Sequence, residues 1–273
     1  MKNMGIVGHK GKLGSLLTKR SNFFVLDCDV TDLLSIEKAI KYSPSANVIV
    51  NCAGISSIDE CEGDYDKAIK VNVHGLHNLH KVFGNRVLNI SSDHVFSGKS
   101  WWLPNDNTKS SPTNLYGWSK VGAEAVSKVN GGKTIRLSRS VSMSDRDIIE
   151  CVGSILHKMD IDVPSFFYRN YIHRQFVVDG IEYLAKNWDS IKFDTINYCG
   201  TENFSMYLFM TTLMDALGLN SDFIKARDEY SYNDAPRPKR GGLKMSLARK
   251  LGFPMYSMVD TINKLVEEYN AHS

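Results

Sequence analysis

The fold is decided by residues 8–14, which read Gly8-His9-Lys10-Gly11-Lys12-Leu13-Gly14. This stretch follows a short apolar run, 4–7, and precedes a helical pattern, 13–20. Glycines at three-residue spacing allow a tight turn and let the backbone approach a pyrophosphate, which the N–H groups of the following helix can hold. A plain glycine-rich turn is the alternative, but the flanking strand and helix favour a dinucleotide site. The predicted contacts within the stretch are Gly8, Gly11, Leu13 and Gly14.

Apolar strands and helical patterns alternate through the first half of the chain. Beyond the first strand, 4–7, further strands are predicted at 23–26, 47–51, 86–91 and 133–138, with helices at 32–42, 64–83 and 115–129. Parallel neighbours need crossover connections, so the alternation predicts an α/β fold with a doubly wound parallel sheet of the Rossmann type.

The pattern loosens after about residue 140. Helices are predicted at 145–158, 174–187 and 204–217, with a loop around Pro164. We therefore expect a dinucleotide-binding domain, 1–144, and a smaller C-terminal lobe, 145–273, that is mainly substrate-binding. A strand near 194–199 is expected to return to the sheet. In open α/β sheets, ligands bind at the carboxyl ends of the strands.

Composition excludes several classes of protein. Of 273 residues, 42% are hydrophobic and 23% are charged, which is typical of a folded globular chain, and the net charge of +3 demands no polyanion. The five cysteines show no zinc-binding spacing, and His74, His77 and His80 spread around one helix, so no metal site is expected. No apolar run is long enough to cross a bilayer. The expectation is a cytoplasmic protein that binds neither membrane nor nucleic acid.

The phosphate state of the dinucleotide is left open by the charges near the glycine turn. Asp27 ends the second strand, roughly twenty residues after Gly8, where an acidic residue commonly bonds the adenosine ribose hydroxyls and favours NAD. Lys10, Lys12 and Arg20 lie near enough to accept a 2′-phosphate. Both NADH and NADPH stay open, and Lys10 and Asp27 are candidate cofactor contacts.

Tyr116 and Lys120 are spaced i, i+4 in the predicted helix 115–129, so their side chains share one face. A tyrosine with its ordinary pKa of about 10 is a poor acid–base catalyst at neutral pH unless a nearby cation stabilises the phenolate. An exposed Tyr–Lys pair would be unremarkable by itself. Ser92, at the end of the preceding strand, would face the same crevice and can polarise a carbonyl group.

Five motifs in this order resemble the extended short-chain dehydrogenase/reductase family. They are Gly8-x-x-Gly11-x-x-Gly14, residues 51–54 (Asn-Cys-Ala-Gly), Asn72 within 71–75, Ser92, and Tyr116-x-x-x-Lys120. Within that family, three segments are similar to signatures of the dTDP-4-dehydrorhamnose reductase branch: 90–98 (ISSDHVFSG), 111–124 (SPTNLYGWSKVGAE) and 235–238 (APRP).

The resemblance implies an NAD(P)H-dependent reductase of a nucleotide-linked 4-keto-6-deoxysugar. Tyr116 would donate a proton to the sugar ketone, Lys120 would lower its pKa and hold the nicotinamide ribose, and Ser92 would hydrogen-bond the carbonyl oxygen. Arg237 would meet the diphosphate of the substrate, although a solvated basic loop is the alternative. The family's cofactor contacts fall on Gly8, Gly11, Gly14, Asp29 and Ala53.

Position 94 departs from the reductase branch, which has tyrosine where this chain has His94. Related bifunctional epimerase-reductases, including the plant enzymes of UDP-rhamnose synthesis, have cysteine there. An imidazole titrates near neutrality, so His94 is either a proton shuttle beside the ketone or a neutral substrate contact. The alternatives to a simple reductase are therefore a bifunctional 3,5-epimerase/4-reductase, or a non-catalytic regulator like the methionine adenosyltransferase β subunit. The partner expected is a nucleotide sugar, and a homodimer is left open.

Overall fold

The computed structural model describes residues 4–41, 46–228 and 235–271, and strands β1 to β12 lie within these ranges. Their bounds are Met4–Val7, Phe23–Val25, Val48–Asn51, Val87–Ser92, Lys133–Leu137, Arg139–Val141, Ile161–Pro164, Tyr168–Arg169, Tyr171–His173, Thr195–Asn197, Phe204–Ser205 and Ile224–Arg227. Helices α1 to α11 span Gly14–Leu17, Leu33–Lys41, Ile58–Gly63, Tyr65–Ile69, Gly75–Phe83, Leu115–Val129, Arg146–Leu156, Arg174–Lys186, Met206–Ala216, Ser246–Lys250 and Met258–Asn270. A π-helical turn, Lys70–His74, joins α4 to α5.

The main sheet has six strands in the order β2-β1-β3-β4-β5-β10. Every neighbouring pair is parallel. The predicted α/β class with a doubly wound parallel sheet is confirmed. Because the chain passes from β1 to one side and then crosses to β3 on the other, the strand order reverses between β1 and β3. Ligands of such sheets bind at the carboxyl ends of the strands at this reversal.

Side chains of the central strands alternate between two hydrophobic clusters. In β3, Val48 and Val50 belong to a cluster that includes residues of α8, whereas Ile49 belongs to a second cluster with Leu76 and Leu79 of α5. Both β1 and β3 are buried along their whole length. Burial on both faces is what a parallel sheet with helices on each side requires.

The C-terminal half contains a third cluster, built on α7, α9 and α11. The prediction of a loop around Pro164 is wrong, because Pro164 is the last residue of β7, a strand that pairs in parallel with β12. Helix α1 is shorter than the predicted 13–20, since after Leu17 the backbone continues in i to i−3 hydrogen bonds. The strand β10 pairs with β5 in the main sheet. The division of the chain after residue 144 stays a prediction.

A buried ion pair links α6 to β5. Arg136 donates from Nε and Nη2 to the two carboxylate oxygens of Glu124, at 2.8 and 2.6 Å. Ser91, at the end of β4, donates to the same carboxylate at 2.6 Å. Side-chain exposure is only 6% for Arg136 and 10% for Glu124. Through Ser91, the pair holds the end of β4 against α6, the helix that carries Tyr116.

We expect Arg136→Met to lower the free energy of unfolding by roughly 3–5 kcal/mol, because it leaves a buried carboxylate without its cation. Arg146→Met is the matched control, since Arg146 pairs with Glu150 on an exposed helix face, where solvent screens the charges and the pair contributes little to stability. Urea denaturation of the two variants measures both values. Equal losses would show that the Glu124–Arg136 pair is not a special determinant of stability.

Candidate active site

The glycine turn packs tightly against the end of β3. Gly8 has a positive φ of 78°, and a Cβ there would overlap the backbone of Ala53. A Cβ at Gly14 would overlap the carbonyl oxygen of Gly8. The backbone nitrogen of Cys52 also donates to the carbonyl of Val7 at 2.9 Å. Gly8 and Gly14 are therefore required by the protein's own packing.

Gly11 has no such internal requirement. The nearest atom to a Cβ at this position would be the Gly8 carbonyl oxygen, at 3.4 Å, which is an ordinary contact. Gly11 lines a crevice of about 640 Å³ that runs from the turn to Tyr116 and Lys120. Glycine here keeps the wall of the crevice open, as a backbone that must approach a pyrophosphate requires. The cradle therefore fits a dinucleotide.

Acidic and basic side chains lie close together beside the glycine turn. The Asp27 carboxylate is 71% exposed and lies 3.9 Å from both His9 Nδ1 and Lys10 Nζ. Asp29 accepts hydrogen bonds from the Thr31 backbone nitrogen at 2.8 Å and hydroxyl at 2.9 Å, which lower the pKa of its carboxyl. Neither carboxylate lines the crevice itself, whereas Leu13 and Ala53 do.

The predicted catalytic residues meet at the inner end of the crevice. Ser92, Tyr116 and Lys120 all line it, and each is buried. Burial raises the pKa of Tyr116, an effect that a hydrogen bond with the Ser92 hydroxyl partly offsets. The Tyr116 phenol therefore stays protonated at neutral pH.

Lys120 is also shifted by burial, in the opposite sense. Desolvation lowers the pKa of its ammonium group to about 8. Its Nζ donates to the carbonyl of Ile90 at 3.1 Å and lies 5.7 Å from the centroid of the Tyr116 ring. Tyr116 and Lys120 share one face of α6, as their spacing predicts.

Asn72 links α6 to the loop that follows β3. Its Oδ1 accepts from the Ile55 nitrogen at 2.8 Å, and its Nδ2 donates to the Ile55 carbonyl at 3.0 Å and to the Ser119 hydroxyl at 2.9 Å. Asn72 lies in the π-helical turn, a local irregularity that is frequent at functional sites. The sequence identifies Asn72 only as a motif residue and does not reveal this positioning role.

His94 lies beside Tyr116, with ring centroids 5.5 Å apart in an edge-to-face arrangement. Its side chain is buried, and burial is the main reason that its pKa falls to about 4. The imidazole is therefore neutral at physiological pH. Gly117 lets α6 approach the backbone of His94 closely, because a Cβ there would overlap the His94 carbonyl oxygen.

Arg237 lines a second cavity of about 830 Å³. Its Nη2 lies 3.1 Å from both carboxylate oxygens of Asp59, so it is paired rather than freely solvated. In the same wall, the Arg240 guanidinium stacks 3.1 Å from the centroid of the Trp101 ring. Asp234, at the start of the proline-bearing stretch, lies outside the described residues.

Sequence reasoning gave no role to Asp93, although it stands inside the quoted 90–98 segment. Its carboxylate is buried and accepts from the Ser138 hydroxyl at 2.8 Å and from the Gly242 nitrogen at 3.0 Å. The signal that could have found it is a lone acid directly after a strand that ends in a catalytic serine.

The described part of the chain also bears on two other classes of site. No group of three or more His, Cys, Asp or Glu side chains there is arranged to hold a metal ion. None of the helices in those ranges has the length and apolar character of a membrane span.

Comparisons with known proteins agree with this geometry. A family model described as RmlD substrate binding domain matches residues 2–271. Spore coat polysaccharide biosynthesis protein SpsK of Bacillus subtilis (strain 168) is 25% identical over 203 residues, which cover 72% of this chain and 70% of that protein. The dTDP-4-dehydrorhamnose reductase of Aggregatibacter actinomycetemcomitans is 29% identical over 151 residues, and the match spans 51% of each protein.

Among solved structures, the dTDP-4-dehydrorhamnose reductase of Bacillus anthracis str. Ames in complex with NADP superposes with a TM-score of 0.86. The superposition covers 100% of both chains at 20% sequence identity. At that identity the likeness shows that the two chains share a fold.

We expect Gly11→Leu to abolish dinucleotide binding while the unfolding transition stays close to that of the wild type, because the added side chain enters the crevice and not the core. Gly153→Leu is the matched control, since a Cβ at Gly153 would meet no atom within 4 Å and this residue lies outside the crevice lining. Titration calorimetry with NADH and NADPH measures the affinities. Unchanged affinity in Gly11→Leu would overturn the assignment of the turn.

Proposed function

Because the chain belongs to the RmlD substrate binding domain family, we propose that it is an NAD(P)H-dependent reductase of a nucleotide-linked 4-keto-6-deoxysugar, acting in deoxysugar biosynthesis. The observation that carries the proposal is one continuous crevice with the glycine turn at one end and Ser92, Tyr116 and Lys120 at the other. The relatives named dTDP-4-dehydrorhamnose reductase support the same substrate class.

The cofactor, when bound, supplies the hydride that reduces the ketone. The residues that would hold it are those of the turn and its surroundings: Gly8, Lys10, Gly11, Leu13, Gly14, Asp27, Asp29, Ala53 and Lys120. The turn would contact the pyrophosphate through backbone N–H groups, and Asp27 and Asp29 would meet the adenosine ribose. Lys10 places a cation beside Asp27, so the chain offers contacts for both the hydroxyl and the 2′-phosphate form.

Reduction of a ketone leaves a negative charge on the carbonyl oxygen, and a proton must reach that oxygen. Tyr116 is the donor, because its raised pKa keeps the phenol protonated until the charge develops. The Ser92 hydroxyl would hydrogen-bond the same oxygen and orient it. Lys120, 5.7 Å from the Tyr116 ring centroid, would stabilise the phenolate that remains after the transfer.

The second cavity would hold the nucleotide portion of the substrate. Arg237 would bind the diphosphate, since a planar guanidinium matches phosphate oxygens. The ion pair with Asp59 keeps Arg237 oriented at the cavity wall. Aromatic side chains of Trp101 and Tyr168 line the same cavity and would pack against the base or sugar. His94, whose ring centroid lies 5.5 Å from that of Tyr116, would contact the sugar.

The arrangement favours catalysis over a purely regulatory role. A regulator needs the fold but not a buried serine, tyrosine and lysine converging on one crevice. A panel of nucleotide 4-keto-6-deoxysugars incubated with NADH or NADPH, with products identified by NMR, tests the proposal. A 4-hydroxy product formed with cofactor oxidation is expected, and no turnover of any member of the panel would favour the regulatory alternative. Homodimer formation stays a prediction.

We expect Tyr116→Phe to lower the rate by about 10²- to 10⁴-fold, the usual contribution of a general acid, with cofactor affinity nearly unchanged. Lys120→Met should reduce both the rate and the cofactor affinity, because it removes a cation that serves both. Steady-state kinetics and calorimetry separate the two effects. A Tyr116→Phe variant with wild-type turnover would contradict the assignment of the proton donor.

Cofactor affinity should also depend on pH. Since the pKa of Lys120 is lowered to about 8, its positive charge is present below that pH and is lost as the pH rises through it. Dinucleotide binding should therefore weaken on the alkaline side of this value. Calorimetric titrations on both sides of that pH measure the effect, and Lys120→Met, which has no ammonium group, should lack it. The same alkaline weakening in Lys120→Met would assign it to another group.

A further inference from the structure

Asn114, the residue before α6, contacts three different parts of the molecule. Its Oδ1 accepts a hydrogen bond from the backbone nitrogen of Gly117 at 2.7 Å and so caps the helix. Its Nδ2 lies 2.7 Å from the carbonyl oxygen of Pro236 and 3.0 Å from Nδ1 of His94. One side-chain amide thus links the helix of Tyr116, the loop of Arg237 and the imidazole beside the ketone site.

The chemistry of these partners fixes the orientation of the amide. The Gly117 nitrogen can only donate, so the atom facing it is the amide oxygen. The Pro236 oxygen can only accept, so the atom facing it is the amide nitrogen. The two hydrogens of Nδ2 are then directed at two acceptors, the Pro236 oxygen and His94 Nδ1.

The protonation state of His94 follows from this orientation. An amide nitrogen does not accept hydrogen bonds, so Nδ1 of His94 must carry a lone pair and accept one. A neutral imidazole has one N–H group, which is therefore at Nε2. Within residues 4–41, 46–228 and 235–271, no hydrogen-bond partner of Nε2 is found.

The charges around His94 agree with a neutral ring. Desolvation is the largest effect on the pKa of His94 and lowers it; Asp93 and the hydrogen bond with Asn114 raise it, and Arg169 and Arg237 lower it further. Only 9% of the residue is exposed. The ring therefore carries a hydrogen-bond donor at Nε2 and no positive charge.

We infer that Asn114 is a positioning residue that holds His94 as a neutral hydrogen-bond donor through Nε2 and so denies this chain a base at position 94. The inference rests on the proposed function, because it concerns how His94 meets the keto sugar. Its consequence is chemical. Epimerisation next to a ketone moves a carbon-bound proton onto a lone pair of a base, while the C–H electron pair passes into an enolate. Asn114 donates to the lone pair at Nδ1 of His94, and Nε2 already carries a hydrogen. Neither nitrogen of His94 is then available to take up the carbon-bound proton.

With no base at position 94, we expect this chain to reduce its keto sugar without exchanging the protons at C3 and C5. In the reduction itself, Nε2–H of His94 would donate to a sugar oxygen and help orient the ketone toward Tyr116.

Nitrogen-15 NMR of the protein labelled at histidine tests the assignment directly. In the wild type, His94 should show a proton-bearing Nε2 and a bare Nδ1 at neutral pH. Asn114→Asp keeps a good helix cap for Gly117 but cannot donate to Nδ1, so it should move the proton to Nδ1 and leave Nε2 bare. A wild-type proton at Nδ1, or no change in Asn114→Asp, would overturn the inference.

A second measurement follows proton exchange in the sugar itself. The wild-type protein is incubated in D₂O with un-epimerised nucleotide 4-keto-6-deoxyglucose, and the sugar should gain no deuterium at C3 or C5. Deuterium that appears there, and disappears in His94→Ala, would show that His94 is a base after all. Reduction of an already epimerised sugar is followed separately by cofactor oxidation, so failure of the proposed reductase function is distinguishable from failure of the His94 assignment.

Discussion

The carboxylate of Asp93 fixes the end of β4 relative to the parts of the chain that surround the crevice. It accepts hydrogen bonds from Ser138, just after β5, and from the backbone of Gly242 in the C-terminal loop. Its Oδ2 also lies 3.5 Å from Nε of Arg169. A buried carboxylate is costly unless it is paired and hydrogen-bonded. Asp93 therefore permits only a narrow range of positions for these segments, and with them for its chain neighbour Ser92.

Burial acts on the two central titratable groups in opposite directions for one reason. A dry environment disfavours the charged form of either group, so it raises the pKa of Tyr116 and lowers that of Lys120. A reductase benefits from the first shift, since its acid must hold a proton before the ketone is reduced. Nearby groups, among them Cys61 and Glu124, partly offset the second shift, and the Ile90 carbonyl accepts a hydrogen bond from the ammonium group. The crevice thus keeps an acid ready and a cation available near neutral pH.

The parts of the fold that the sequence predicts well are those set by local patterns. Helix α6 spans the predicted range, because Asn114 caps its start and the apolar periodicity continues to its end. The glycine turn is equally local. The strand ending at Pro164 was missed because its pairing depends on β12, far along the chain, while a proline suggests a loop. Likewise the residue types reveal Tyr116 and Lys120, but not the direction in which burial shifts their pKa values.

The same limit explains why the state of His94 could not be read from the sequence. Its residue type allows either a base or a neutral contact, and the decision lies with Asn114, twenty positions away, together with Pro236 in the C-terminal loop. Asparagine meets all three demands at this position, since it offers an oxygen to the helix and two N–H donors to other groups. Aspartate would cap the helix without donating, and serine has a single hydrogen to give. The residue that caps the start of α6 therefore also determines which nitrogen of His94 carries the proton.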